Sequence, residues 1–95
     1  MRIATYNIWN SEKGAPWRFE QIVDQIIQVK ADVICLQEVK DREFHEGIAK
    51  KTGYQYHCFH CHDGEEEGLS FLSKYQIVET KYVPCALLAK LETDN

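Results

Sequence analysis

Two polar residues close apolar stretches in the first half of the chain, and both offer oxygen to a cation. Asn7 lies near the end of Arg2-Ile3-Ala4-Thr5-Tyr6-Asn7-Ile8-Trp9, and Glu38 ends Ala31-Asp32-Val33-Ile34-Cys35-Leu36-Gln37-Glu38. A carboxylate and a carboxamide are ligands that hard divalent ions accept. Mg²⁺ is commonly held by one or two protein carboxylates while it keeps several waters. The plainer readings are a strand-end carboxylate in solvent for Glu38 and an amide bonded to a neighbouring loop for Asn7.

The elements around these residues decide between the readings. Between the two stretches runs a helical pattern over 17–30, introduced by Pro16 at its first position. Phe19, Ile22, Val23, Ile26 and Ile27 form its apolar face, and Glu20, Asp24, Gln25 and Gln28 its polar one. Strand, helix, strand is a βαβ unit, so the strands run parallel and their carboxyl ends share one edge of the sheet. Ligands sit at that edge in open α/β sheets. Asn7 and Glu38 are therefore expected side by side. Val33 and Cys35 on one face and Ile34 and Leu36 on the other predict a central strand buried on both sides.

The run His57-Cys58-Phe59-His60-Cys61-His62 also carries metal-binding groups. Strand alternation sends Cys58 and His60 to one face and His57 and Cys61 to the other. A structural zinc site needs four converging ligands, and Cys58-x-x-Cys61 has the spacing of only one half of it. No tightly held zinc is expected; contact of one of these histidines with a substrate is the alternative. Glu65-Glu66-Glu67 reads as a solvated hairpin loop without the ligand spacing of a calcium loop. Trp9 and Trp17 flank the loop that leaves the ligand edge and are candidates for substrate contact. Tyr54, Tyr56, Phe59 and Tyr75 read as core.

A second helix is expected from Asp41 to Thr52, with Asp41 as N-cap, Lys50 and Lys51 in the last turn and Gly53 at the exit. Its apolar face of Phe44, Ile48 and Ala49 is thin, which predicts a shallow, partly exposed helix. The period then changes. Strands are expected at Tyr54–His60, Gly68–Ser73 and Gln76–Val83, with a turn at Asp63-Gly64, an interruption at Pro84 and a last short strand from Cys85 to Leu91.

The chain has 95 residues, 44% of them hydrophobic and 27% charged, with a net charge of -4. That bounds it to one small globular domain and argues against a basic nucleic-acid surface spread over the whole molecule. No apolar run is long enough to span a bilayer. The first strand begins almost at Met1, so no signal peptide is expected. A cytoplasmic location follows, with the four cysteines as thiols rather than a disulfide framework. Cys35 reads as a small core residue.

Three segments resemble ordered motifs of the endonuclease/exonuclease/phosphatase superfamily, the DNase I-like metal-dependent phosphoesterases. They are Thr5-Tyr6-Asn7-Ile8, Ala31-Asp32-Val33-Ile34-Cys35-Leu36-Gln37-Glu38-Val39 and Gly68-Leu69-Ser70-Phe71-Leu72-Ser73-Lys74-Tyr75-Gln76-Ile77. Each alone is weak, and their order makes the signal. In the third, Lys74 stands where the family commonly has Arg and Gln76 where it has Pro.

The resemblance implies an α/β fold, half of a four-layer α/β sandwich, whose mixed sheet starts with a βαβ unit and continues with antiparallel strands. It implies phosphoester hydrolysis with Mg²⁺ or Mn²⁺, Glu38 as the metal-binding carboxylate and Asn7 as an active-site amide. The implied substrate is a phosphoester of nucleic acid or of a phospholipid or inositol phosphate head group. The family's later motifs, an Asp-x-Asn strand and an Asp-His pair, have no counterpart here. Residues 1–95 are thus expected to be the N-terminal part of one truncated domain, inactive alone. Self-association is expected through an uncovered sheet face carrying, by alternation, half of Ile34, Leu36, Leu69, Phe71 and Ile77. A non-catalytic metal-binding or interaction module is the alternative.

Overall fold

The computed structural model describes residues 1–11, 17–83 and 86–93. Along them run β1 (Ile3–Asn7), α1 (Phe19–Val29), β2 (Val33–Val39), α2 (Arg42–Thr52), β3 (Tyr56–Cys61), β4 (Gly68–Ser73), β5 (Gln76–Val83) and β6 (Ala86–Glu92). Pro16, Pro84 and Cys85, to which the sequence assigns a helix start, a break in pairing and a strand start, lie outside the described residues. Arg18 occupies the N-cap position of α1 and makes no side-chain cap bond.

The first sheet has the strand order β1-β2-β4-β3. β1 and β2 are parallel, as a helix-connected pair must be; β2 with β4 and β4 with β3 are antiparallel. The ladder aligns Ala4, Ile34 and Leu72 across three strands, and Tyr6, Leu36 and Ser70 beside them. Ile22 and Ile26 of α1 and Phe44, Ile48 and Ala49 of α2 share one core cluster with Ile34, Leu36 and Leu72. Ile34, Leu36 and Leu72 are at most 1% exposed. Cutting a side chain buried to that degree back to Ala costs about 2–5 kcal/mol.

On the opposite face lies a two-stranded sheet, β5 paired antiparallel with β6. Its Leu87 meets Cys35, Leu69 and Phe71 around a small cleft, and Tyr82 packs on the His60 ring with centroids 3.3 Å apart. The layers are helices, the larger sheet, then the start of a second sheet, which is the α/β half-sandwich expected.

One expectation about that packing is corrected, that of a bare sheet face. Ile34 and Leu36 belong to the helix-covered face, leaving Leu69 and Phe71 for the other. That second face is not bare, because the β5–β6 hairpin lies against part of it. Alternation sorts side chains into two sets but does not say which set meets the helices.

Helix α2 also departs from expectation. It is not shallow: Phe44, His45, Ile48 and Ala49 are all buried. Its ends form as read. Asp41 accepts from the Phe44 backbone N–H at 2.8 Å, and Gly53 closes the helix at φ 80° with its N–H on the Ala49 carbonyl. In α1, by contrast, Ile27 is 49% exposed, so the apolar stripe in contact is narrower than the apolar composition. The start of β3 lies at Tyr56 rather than Tyr54. Tyr54 instead packs on the core and donates its hydroxyl to the Ala31 carbonyl at 2.7 Å.

Candidate functional site

Parallel pairing aligns Asn7 with Gln37, and the Ile8 N–H extends the ladder to the Gln37 carbonyl at 3.1 Å. Glu38 is the next residue, so the two expected site residues stand on adjacent strand ends. Both strand ends then turn sharply. Trp9 has φ 52° and Glu38 has φ 56°, left-handed values that non-glycine residues avoid. The Glu38 conformation falls where the β2–β4 register shifts between Leu36 and Val39. A bulge of this kind re-aims side chains at a sheet rim. At β1 the Trp9 N–H donates to Asn7 Oδ1 at 2.9 Å, which identifies that atom as the amide oxygen and leaves the NH₂ as the donor end.

The β3–β4 loop closes the same edge, because β3 ends and β4 begins there. Gly68 pairs with Val39 of β2 and with Cys61 of β3. A Cβ on Gly68 would lie 2.1 Å from the His60 carbonyl oxygen, so β4 enters the sheet too close to β3 for any side chain. Just before it, Glu67 is half-buried. It accepts from Asn10 Nδ2 at 2.7 Å, and its carbonyl accepts from the His62 N–H at 2.9 Å. The loop is therefore not wholly solvated: Glu65 and Glu66 are exposed, but Glu67 is tied to the chain leaving β1. The sequence reading missed Asn10 and Glu67. Their link spans 57 residues, and no local pattern records it.

The donor chemistry suits a hard divalent ion. Glu38 could offer a carboxylate and Asn7 a carboxamide at neighbouring positions, and Mg²⁺ or Mn²⁺ there would complete its shell with water and substrate oxygens. Among the described residues no group of three or more His, Cys, Asp and Glu side chains is placed to hold a metal ion.

The histidines and cysteines of β3 take other places. The register sets His57, Phe59 and Cys61 on the helix-covered face, with Cys58 and His60 opposite. His57 Nδ1 lies 2.9 Å from His45 Nε2, and His45 Nδ1 lies 2.8 Å from Ser70 Oγ. Burial first, then the neighbouring His57 and Arg42 charges, lowers the His45 pKa to about 4. The Cys58 thiol is pushed up by burial and by nearby Cys35, whose own thiol is raised by burial. Neither thiol is primed as a thiolate nucleophile. Trp9 and Trp17, the candidates for substrate contact, are 50% and 76% exposed. A groove of about 360 Å³ beside the start of α2 carries Asp41, Glu43, Glu65 and Glu66 against the single guanidinium of Arg42, a lining that repels phosphate.

Comparison with known proteins agrees with this arrangement. The Endonuclease/Exonuclease/phosphatase family profile matches residues 4–91. Carbon catabolite repressor protein 4 homolog 2 of Arabidopsis thaliana is 44% identical over 43 residues, which cover 42% of this chain and 7% of that protein. Among solved structures, an endonuclease/exonuclease/phosphatase family protein from Leptotrichia buccalis C-1013-b superposes with a TM-score of 0.59 at 21% identity, over 85% of this chain and 39% of that one. The matched part of this chain thus spans 7% of the first relative and 39% of the second. With the motifs in order, the two strand ends joined and the profile matched over nearly the whole chain, the protein belongs to the endonuclease/exonuclease/phosphatase family, a family of phosphoesterase-type hydrolases.

Proposed function

We propose that these residues supply the metal-holding part of a phosphoesterase site, with Glu38 as the metal-binding carboxylate and Asn7 as the active-site amide. The observation that carries this is the adjacency of Asn7 and Glu38 on parallel strand ends, with Glu38 held at φ 56°. Such a conformation costs about 1 kcal/mol or more and persists where the surrounding structure over-determines it, a pattern concentrated at functional sites.

When bound, Mg²⁺ or Mn²⁺ would polarise a phosphoryl oxygen and acidify a bound water. The chain's own residues do the rest of what it contributes. Glu38 presents anionic oxygen at the edge. Asn7, its oxygen taken by the Trp9 N–H, turns its NH₂ toward a phosphoryl oxygen as a hydrogen-bond donor. Trp9, half exposed beside them, offers an apolar wall to the leaving group. The substrate class is a phosphoester, of nucleic acid or of a phospholipid or inositol phosphate head group. A net charge of -4 disfavours long duplex DNA.

Among the described residues, none bonded to Asn7 or next to Glu38 is a base placed to activate water. Residues 1–95 alone are therefore inert in this reading, and turnover needs further groups. Calorimetric titration with Mn²⁺, paired with a chromogenic phosphodiester assay, tests both parts. Binding lost in Glu38→Gln by at least about ten-fold, with no turnover by either protein, is the expected result. Equal affinity in the variant overturns the metal assignment, and metal-dependent turnover overturns the inertness.

A further inference from the structure

We propose that Asn10 and Glu67 form a positioning pair that sets the Asn7–Trp9 turn against the Glu38 edge. The role rests on the metal-holding reading above, but the pair itself is tested separately.

After Asn7 the chain bends at Trp9 through a left-handed residue, and the Trp9 N–H donates to Asn7 Oδ1. The next residue, Asn10, donates to Glu67 Oε2 at 2.7 Å, a short charge-assisted bond. Both partners are half-buried, which protects the bond from water.

Glu67 is a fixed anchor. Its carbonyl is bonded to the His62 N–H, and it precedes Gly68, whose backbone is pressed against His60 and Cys61. Gly68 in turn pairs with Val39, the residue after Glu38. One continuous path thus runs from the Asn7 turn through Asn10 and Glu67 to the backbone beside Glu38. It joins the two loops that border the edge, and a site gains from having such loops fixed before a ligand arrives. The carboxylate charge is secondary in this role: a Gln at 67 still presents a side-chain oxygen to Asn10 Nδ2.

The experiment uses the 95-residue chain with Trp17→Phe, so that Trp9 is the only indole. Acrylamide quenching of Trp9 reports the turn without metal, and Mn²⁺ titration reports the edge. Asn10→Ala and Glu67→Ala are expected to raise the Trp9 quenching constant about two-fold and weaken Mn²⁺ binding about ten-fold. Glu67→Gln is expected to restore both to near the parent values. Circular dichroism confirms that each variant is folded, and Asn10→Ala, which leaves Glu67 and its loop intact, serves if Glu67→Ala is not. Unchanged quenching in a folded Asn10→Ala protein overturns the pair. So does a Glu67→Gln protein that behaves like Glu67→Ala, since charge rather than position would then be at work. A parent that takes up no Mn²⁺, but whose Trp9 loosens on loss of either partner, overturns the metal assignment while supporting the pair.

Discussion

Asn7 stands opposite Gln37 in the parallel β1–β2 ladder, which leaves Glu38 as the first residue past the aligned pair. Everything proposed for this edge follows from that register. A slip of one residue would turn Glu38 to the other side of the strand and put Gln37 in its place.

The backbone at Glu38 carries a cost that a glycine would not. With φ at 56°, Glu38→Gly is expected to leave stability equal or raise it by about 0.5–1 kcal/mol and, by removing the carboxylate, to abolish Mn²⁺ uptake. Urea denaturation with and without Mn²⁺ measures both. A variant destabilised by more than about 1 kcal/mol would show that the conformation is not strained.

Gly68 tolerates no side chain, for a different reason. A Cβ would sit 2.1 Å from a backbone oxygen, which no rotamer change can relieve. Gly68→Ala should cost about 3 kcal/mol or more by displacing β4 from β3. Gly53→Ala, with open space around it but φ at 80°, should cost about 1 kcal/mol. Similar thermal midpoints for the two variants would contradict the close approach.

Acid should weaken the fold through His45. Its folded pKa of about 4 lies below the ordinary 6.5, so between those values the unfolded chain binds a proton that the folded chain does not. Stability from this group is full above about pH 6.5 and is lost as pH falls toward 4, by on the order of 3 kcal/mol. The groups facing the ring are Ser70, His57, Phe59 and Arg42, none of them an anion that would stabilise a charged imidazole. Urea midpoints from pH 7.5 to 4.5 check this, and His45→Gln should flatten the dependence. An unchanged slope in that variant would assign the acid sensitivity elsewhere.

The β5–β6 hairpin is the expected point of self-association. It is a two-stranded sheet with Val78, Val83 and Leu88 each 40% exposed or more. Apolar side chains on an open-edged ribbon invite pairing with a second copy. Light scattering should show concentration-dependent association that Leu88→Lys reduces. A strictly monomeric parent would refute it.

The βαβ start was legible because both of its signals are local. Apolar side chains on both faces of β2 mark a central strand, and a 3.6-residue period between two strands forces a parallel crossover. Asp41 and Gly53 were legible as helix ends for the same reason. His45 was not. A histidine in a thin apolar stripe counts as surface by type, and only the partners Ser70 and His57, 25 and 12 residues away, make its burial tolerable. Asn10 and Glu67 were hidden by the same kind of distance. The assignment of Ile34 and Leu36 to the helix side required knowing which face the helices take, which alternation alone does not encode.

A divalent ion held at the ends of β1 and β2 would broaden the signals around it, so paramagnetic broadening by Mn²⁺ in a two-dimensional ¹⁵N–¹H spectrum is the decisive measurement. The competing location is the acidic loop, where Asp63, Glu65 and Glu66 are exposed. The amide signals of Asn7, Trp9 and Glu38 and the side-chain NH₂ of Asn7 are expected to disappear first, and Glu38→Gln to preserve them at the same Mn²⁺ concentration. Broadening centred on residues 63–66, unchanged by Glu38→Gln, would contradict an ion at those strand ends.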